Sequence, residues 1–259
     1  MPELPEIAAA AAQLSAAITG KTIARVETLH PALARRLPAA AAASLAGRVV
    51  SRVDRRGKHQ IIRIDDGRVL VVHFRLNGEW SVARRGDPPP RFARALLAMT
   101  DGTHVTLVDS RALCSLDLAA SAEAALPRLG PEATDAAFTP AALAAALARR
   151  RGPIKPALLD QRVVAGLGNI YAAEALWLAR LSPFTSAAKL GPARLTRLVR
   201  AIRDVLRRAP AGRYWMDDRE TNWRVYDREG AKCRRCGGKI RRSAQAGRST
   251  FHCPGCQRR

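Results

Sequence analysis

Residues able to do chemistry crowd the first six positions. In MPELPEI, Pro2 becomes a secondary amine once Met1 is removed, and Glu3 and Glu6 add two carboxylates. A free α-amine has a pKa of about 8, so a useful fraction is an unprotonated nucleophile at neutral pH. Its attack on an aldehyde-like carbon gives an iminium, which is cationic without needing a proton and acts as an electron sink. Neighbouring carboxylates can move the protons such a reaction requires. The same residues suit the first turn of a helix, where proline is tolerated and acids meet the positive end of the dipole. Helix initiation explains the residue types but not their place beside the initiator.

A second constellation lies in CRRCGGKIRRSAQAGRSTFHCPGCQRR. Cys233 and Cys236 are two residues apart, sixteen residues intervene, and Cys253 and Cys256 repeat the spacing. Two such knuckles can set four thiolates tetrahedrally around one zinc, with no open position, so the ion is expected to be structural. His252 is adjacent, but four cysteines already fill the site. From Lys232 onward there are nine basic residues and no acidic one, and Arg248 falls on the hairpin between the knuckles. A solvated basic surface is the plain alternative; the missing acids favour phosphate binding.

Other candidates are weaker alone. Gly166–Asn169 reads GLGN, a glycine turn opening a helix, which can present N–H groups to a phosphate. It lacks the spacing of a dinucleotide fingerprint, and by itself reads better as a tight helix–helix turn. Lys58 lies in VDRRGKHQIIRI beside Arg55 and Arg56, a cluster suited to a phosphate contact. His59 and His73 read as packed or exposed side chains with nothing to pair them, and Cys114, between Leu113 and Leu116, as a small buried hydrophobe.

Three kinds of element must position these groups. Pro5–Ile18 is strongly helix-forming and stops at Gly20. From Lys21 to Leu118 β-rich runs take over, with turns at Asp65-Asp66-Gly67 and Asp101-Gly102, and a proline-rich loop at Arg84–Arg91. Beyond Pro127 helices are expected after the Thr139-Pro140 cap through Arg150, at Ile170–Leu181 and at Pro192–Arg208. The last forty residues look too small to fold without a metal. The fold class is therefore α+β and multidomain: an N-terminal antiparallel β-sandwich with one helix over 1–120, a helical module over 127–222 and a zinc-stapled hairpin over 223–259.

Charge narrows the partner. The chain has 259 residues, 44 Lys+Arg against 22 Asp+Glu, and a net charge of +22. Cations that neutralise phosphates release condensed counterions, so a nucleic acid is favoured. An anionic membrane is the rival, but there is no 18-residue apolar run, lipidation motif or signal peptide. Paired cysteines beside a lone Cys114 suit a reducing, cytoplasmic compartment.

Together these stretches resemble the formamidopyrimidine-DNA glycosylase and endonuclease VIII family of base-excision repair enzymes. The resemblance is carried by MPELPEI, RRGK ending at Lys58, GPIKPALLDQ around Lys155, VVAGLGNIYAAEALW, VYDREGAKC and RSTFHCPGCQ, in order along nearly the whole chain. It implies a β-sandwich, a helix–two-turn–helix module and a zinc-finger hairpin, with double-stranded DNA bound across a cleft by a monomer, in a bacterial nucleoid setting. It implies that Pro2 attacks C1′ of an oxidised or abasic nucleotide and that β,δ-elimination cuts the strand. Glu3 would be the acid/base, with Glu6 supporting it. Lys58, Asn169 and Arg248, and also Lys155, would grip phosphates around an extruded base. A non-catalytic damaged-DNA-binding protein of the same fold is the alternative.

The chain departs from the family pattern in places. HFRLNGEW has Leu76 where the formamidopyrimidine branch usually has methionine, and Arg111-Ala112-Leu113 keeps the wedge arginine but not the aromatic. The loop and LLDQRVVAGLGN lean towards endonuclease VIII, MPELPE towards the formamidopyrimidine branch. The segment 211–223 looks too short for a lesion-capping loop. Oxidised purine, oxidised pyrimidine and abasic site stay open as the preferred lesion.

Overall fold

The computed structural model describes residues 1–209 and 222–258. Two compact units are present, one built on Met1–Pro127 and one on the chain from Arg128 onward.

The first unit begins with α1 (Leu4–Ile18), whose buried residues Leu4, Ile7, Ala11, Leu14 and Ile18 recur at three- and four-residue steps and so form one apolar stripe. Strands β1 (Ile23–Thr28), β2 (Val50–Arg56), β3 (His59–Ile64), β4 (Val69–His73), β5 (Glu79–Arg84), β6 (Ala93–Met99), β7 (Thr103–Val108) and β8 (Ser115–Ala119) follow. Short helices α2 (Pro31–Ala34) and α3 (Ala39–Ala43) lie between β1 and β2, and α4 (Ala122–Ala125) follows β8. The strands make two antiparallel four-stranded sheets, ordered β1-β6-β7-β5 and β2-β3-β4-β8. Ile23, Leu97, Leu107 and Trp80 of the first sheet share a core with Val50, Ile62, Leu70, Val72 and Leu116 of the second, and Leu14 and Ile18 of α1 join it. This is the expected sandwich. Strand β4 is buried on both sides: Leu70 and Val72 face that core, while Val69 and Val71 pack with Ile61 and Ala122 of α4. The Asp-Asp-Gly and Asp-Gly turns fall where expected, between β3 and β4 and between β6 and β7.

The second unit holds α5 (Pro140–Leu147), α6 (Ile154–Leu159), α7 (Asn169–Leu178) and α8 (Pro192–Arg207), then the hairpin of β9 (Arg241–Gln245) and β10 (Arg248–His252). Ile170 to Trp177 of α7 are buried all round, so this helix is central. It ends three residues earlier than expected. Arg180 adopts φ 56°, its N–H reaches the Trp177 carbonyl at 3.1 Å and that of Leu181 reaches Leu176 at 2.9 Å. That is a Schellman cap, with arginine in the left-handed position usually taken by glycine. Helix α5 likewise stops at Leu147 rather than Arg150, shortly before Gly152-Pro153. Ala173 and Trp177 of α7 pack with Val225, Ile240 and Phe251, which fixes the hairpin to the helical module. Among the described residues, no helix is long and apolar enough to cross a membrane. The segment 211–223, with its expected short loop, lies outside the described residues except for Asn222 and Trp223.

Candidate active site and metal centre

In the first unit the chain start sits at the N-terminus of α1. Glu3 is its N-cap and is only 2% exposed. A capping box closes there, in which the Glu6 carboxylate accepts the Glu3 N–H at 2.9 Å. Pro2 is buried beside it. The terminal amine, here that of Met1, has its pKa lowered, first by burial and then by the cations of Lys58 and Arg111, against the opposing pull of Glu3 and Glu6. Five of the residues singled out in the sequence (Pro2, Glu3, Glu6, Lys58 and Arg111) therefore act on, or adjoin, one amine.

Lys58 owes its place to a two-residue hairpin. Arg56 pairs with His59, leaving Gly57 and Lys58 as the turn, and Gly57 supplies the positive φ (57°) that a tight hairpin demands. Lys58 is thereby 6% exposed rather than waving in solvent. His59 and His73 are not unpaired, contrary to the sequence expectation. They are cross-strand partners on β3 and β4, their rings 4.7 Å apart and edge-on. Burial, with His59, Arg75 and Lys58 nearby, pushes the His73 imidazole down to about 3, so it stays neutral. Its Nδ1 accepts the Arg75 N–H at 2.9 Å, bracing the loop that carries Leu76. A cross-strand pairing of residues fourteen apart has no local signal, which is why the sequence hid it.

Two loops carry the expected wedge residues. Phe74–Gly78 closes through a Gly78 N–H bond to the Phe74 carbonyl at 3.1 Å; any Cβ on Gly78 would meet Phe74 at 3.0 Å. The second loop is organised by Asp109, which is fully buried. Its carboxylate accepts the N–H groups of Arg111, Leu113 and Cys114 at 3.0, 2.7 and 2.8 Å. Asn77 donates to Ser110 at 2.5 Å and so ties the two loops together. Leu76 is half-buried, whereas Leu113 is 47% exposed. Asp109, Ser110 and Asn77 were missed in the sequence; an Asx signal at Asp109-Ser110 was there to be read. Cys114 is buried as expected, and burial and Asp109 push its thiol up to about 12.

In the second unit GLGN opens α7, with Gly168 as N-cap. Gln161 braces the turn: its amide accepts the Gly166 N–H at 2.9 Å and donates to the carbonyls of Leu159 and Leu167 at 3.2 and 2.9 Å. Asn169 donates to the Ser249 carbonyl at 3.1 Å. Lys155 is 1% exposed, and its ammonium donates to Asn169 Oδ1 at 2.6 Å, Ser249 O at 3.0 Å and Thr250 Oγ1 at 2.8 Å. Three of its donors are thus used inside the protein, joining the N-terminus of α7 to β10. Arg248 is exposed and follows the β9–β10 turn, where Ala246 and Gly247 both have positive φ (47° and 71°). That is a type I′ pattern, so the arginine stands at the start of β10.

The sulfurs of Cys233, Cys236, Cys253 and Cys256 lie within 4.8 Å of one another. Four soft ligands closing a tetrahedron suit one structural zinc. Burial and the neighbouring thiols push Cys256 up to about 12, a conflict that a bound dication resolves by taking the protons' place. Trp177 donates to Cys233 Sγ at 3.4 Å, and Arg235 stacks 3.8 Å over its ring. His252 instead lies edge-on to Phe184, outside the sulfur cluster. Glu174, buried in α7, accepts the backbone N–H groups of Arg224, Val225 and Tyr226 at 2.8–3.0 Å and anchors the turn leading to the cysteines.

Family models agree with this architecture over almost the whole chain. The formamidopyrimidine-DNA glycosylase N-terminal domain matches residues 1–116, the H2TH domain of the same enzymes 129–214, and the zinc finger found in FPG and IleRS 230–259. The chain belongs to the formamidopyrimidine-DNA glycosylase family. Curated members include the formamidopyrimidine-DNA glycosylases of Sphingopyxis alaskensis, 42% identical, and Cereibacter sphaeroides, 41% identical, each aligned over 100% of both chains. The fold is similar to that of MutM solved in complex with DNA containing carbocyclic 8-oxo-G, at TM-score 0.90 and 31% identity over 100% of both chains. It is equally similar to the Lactococcus lactis enzyme bound non-covalently to AP-site DNA, at TM-score 0.91 and 30% identity over 99% of this chain and 100% of that one.

Proposed function

We propose that this chain is a bifunctional DNA glycosylase and abasic-site lyase acting on duplex DNA with oxidised bases, ring-opened and 8-oxo purines foremost. The observation that carries it is the half-buried terminal amine, whose proton affinity is lowered by burial and by Lys58 and Arg111, against the pull of Glu3 and Glu6. After removal of Met1, the Pro2 nitrogen attacks C1′, the C1′–N bond breaks, and the base leaves with a proton. Glu3 relays protons and assists sugar opening, with Glu6 holding its backbone. The iminium acidifies C2′; β-elimination expels the 3′ phosphate and δ-elimination the 5′ phosphate. Lys58, Asn169 and Arg248 contact phosphates, while Leu76, Arg111 and Leu113 fill the space left by the extruded nucleotide. Lys155 acts in this reading by orienting Asn169. Residues 1–120 supply the chemistry, and 127–222 and 223–259 the grip. The purine preference rests on the relatives, which are named for formamidopyrimidine, and on the lesions in their solved complexes.

Borohydride reduction in the presence of abasic duplex tests the proposal. Processed protein is expected to give a covalent adduct, and protein with one extra residue before Pro2 none. Absence of an adduct with processed protein overturns the lyase reading; lesion-selective binding without cleavage would assign a damage-binding role instead. A cleavage panel of 8-oxoguanine, formamidopyrimidine, thymine glycol, 5-hydroxyuracil and abasic duplexes, at stated salt, ranks the lesions.

A further inference from the structure

The second unit carries a groove of 620 Å³ between the approach to α5 and one side of α8, and neither Asn169 nor the cysteines line it. Its apolar lining comes from Val199, buried in α8, with Ala136 and Pro140 opposite. Its rim is cationic: Arg200, Arg203 and Arg207 recur at three- and four-residue steps and so share one side of the helix. Asp204 also lines it and is bonded by Arg207, so three guanidiniums meet one carboxylate, an excess of two positive charges. Arg203 is fixed by two 2.9 Å bonds from Nη2 to the carbonyls of Asp135 and Phe138, and its buried Nε has no hydrogen-bond partner among the described residues. Arg200 and Arg207 are exposed.

We propose that this groove docks an acidic peptide segment of a partner protein. An apolar side chain seats against Val199, Ala136 and Pro140, and flanking carboxylates bind the guanidiniums, which match carboxylates in a planar, two-point geometry. Charge complementarity selects a polyanion, and the apolar lining selects a peptide over nucleic acid. A duplex backbone is convex and offers no apolar group to a recess, whereas an acidic peptide offers both. The site is independent of the glycosylase reading, since it uses none of the residues placed in that chemistry.

Fluorescence anisotropy with the full chain tests it. The probe is a fluorescein-labelled peptide of aspartates ending in Leu-Phe. Comparators replace its aspartates with asparagine, or its Leu-Phe with alanines, and a short undamaged duplex is titrated in parallel. Saturable peptide binding is expected, weakened by both replacements. The double variant R200E/R207E should lose roughly tenfold in affinity, about what two exposed ion pairs are worth when reversed. Ala136→Trp, which fills the recess without touching charge, should weaken binding too. The charge-matched control R25E/R52E, on the other unit, should change it less than about twofold. Equal losses in both double variants would mean diffuse attraction to a chain of charge +22 and would overturn the proposal. So would a loss of duplex binding with peptide binding intact, which would assign the groove to DNA. Unchanged melting temperatures confirm that each variant is folded.

Discussion

Under the proposed function, reactivity at Pro2 is a matter of protonation. The Met1 amine, half-buried near Lys58 and Arg111, binds its proton less tightly than a free one. The Pro2 amine exposed by processing is expected to share that environment, leaving more of it nucleophilic at neutral pH. The sign is definite: a lowered amine pKa moves the acid limb of the rate profile down. The midpoint of that limb, followed by borohydride trapping across pH, is expected below about 8. Lys58→Met should move it back up, though only in part, because burial is the larger cause. A midpoint unchanged in Lys58→Met would show that this cation does not tune the amine. Lys155 shows the opposite economy, a charge spent on structure. Lys155→Met keeps the volume but removes the ammonium donor from Asn169 Oδ1, Ser249 O and Thr250 Oγ1, of which Ser249 O keeps its bond from Asn169, at an expected loss of about 2–3 kcal/mol. If Lys155 works through Asn169, the DNA affinities of Lys155→Met, Asn169→Ala and the double variant will be strongly non-additive.

Among the elements, the loops that carry Leu76 and Leu113 are the most consequential for the proposed function. Neither is a regular structure; His73 Nδ1 and the Gly78–Phe74 backbone bond hold the first, and Asp109 organises the second. The Asn77–Ser110 bond makes them one surface. Asp109→Ala leaves three backbone donors of the second loop without their acceptor and is expected to cost about 2–4 kcal/mol. Excision should fall further than trapping on a preformed abasic site, since the latter has no base to extrude; equal losses in both assays would place the effect on the amine instead. Much of this scale was legible from the sequence. The Asp-Gly turns and the Pro-led helix starts depend on local backbone chemistry, and they appear where expected. The Schellman cap at Arg180 was not legible, because an arginine in a glycine's conformation is tolerated only where packing holds it there.

At the level of the molecule, each compact unit keeps its own source of stability. The first has a sandwich core closed by α1. Among the described residues of the second, the hairpin and its flanks bring Val225, Cys233, Ile240, Phe251 and Cys253, with Tyr226 and Cys256 partly buried, to the apolar cluster shared with α7. That core is small enough that the metal is expected to supply the rest. Chelation, or Cys253→Ser, is expected to raise hydrogen exchange over 230–258 while leaving the β1–β8 amides protected. Duplex affinity should fall with it, because Arg248 and the Ser249 carbonyl that receives Asn169 lose their place. Retained exchange protection in 230–258 after metal removal would show that packing alone holds the hairpin.

The sequence by itself determined what depends on residue type and short spacing. That covers the four-thiol metal set, the amine with carboxylates at the chain start, the alternation of β-rich and helical stretches, and the family resemblance those motifs carry. Only the tertiary structure decided which of these groups meet. It drew Lys58 and Arg111 to the terminal amine, paired His59 with His73, and buried Lys155 between α7 and β10. The reason is physical: pattern and propensity act over a few residues, but burial and the pairing of charges are settled by groups far apart in the chain that packing brings within a few ångströms.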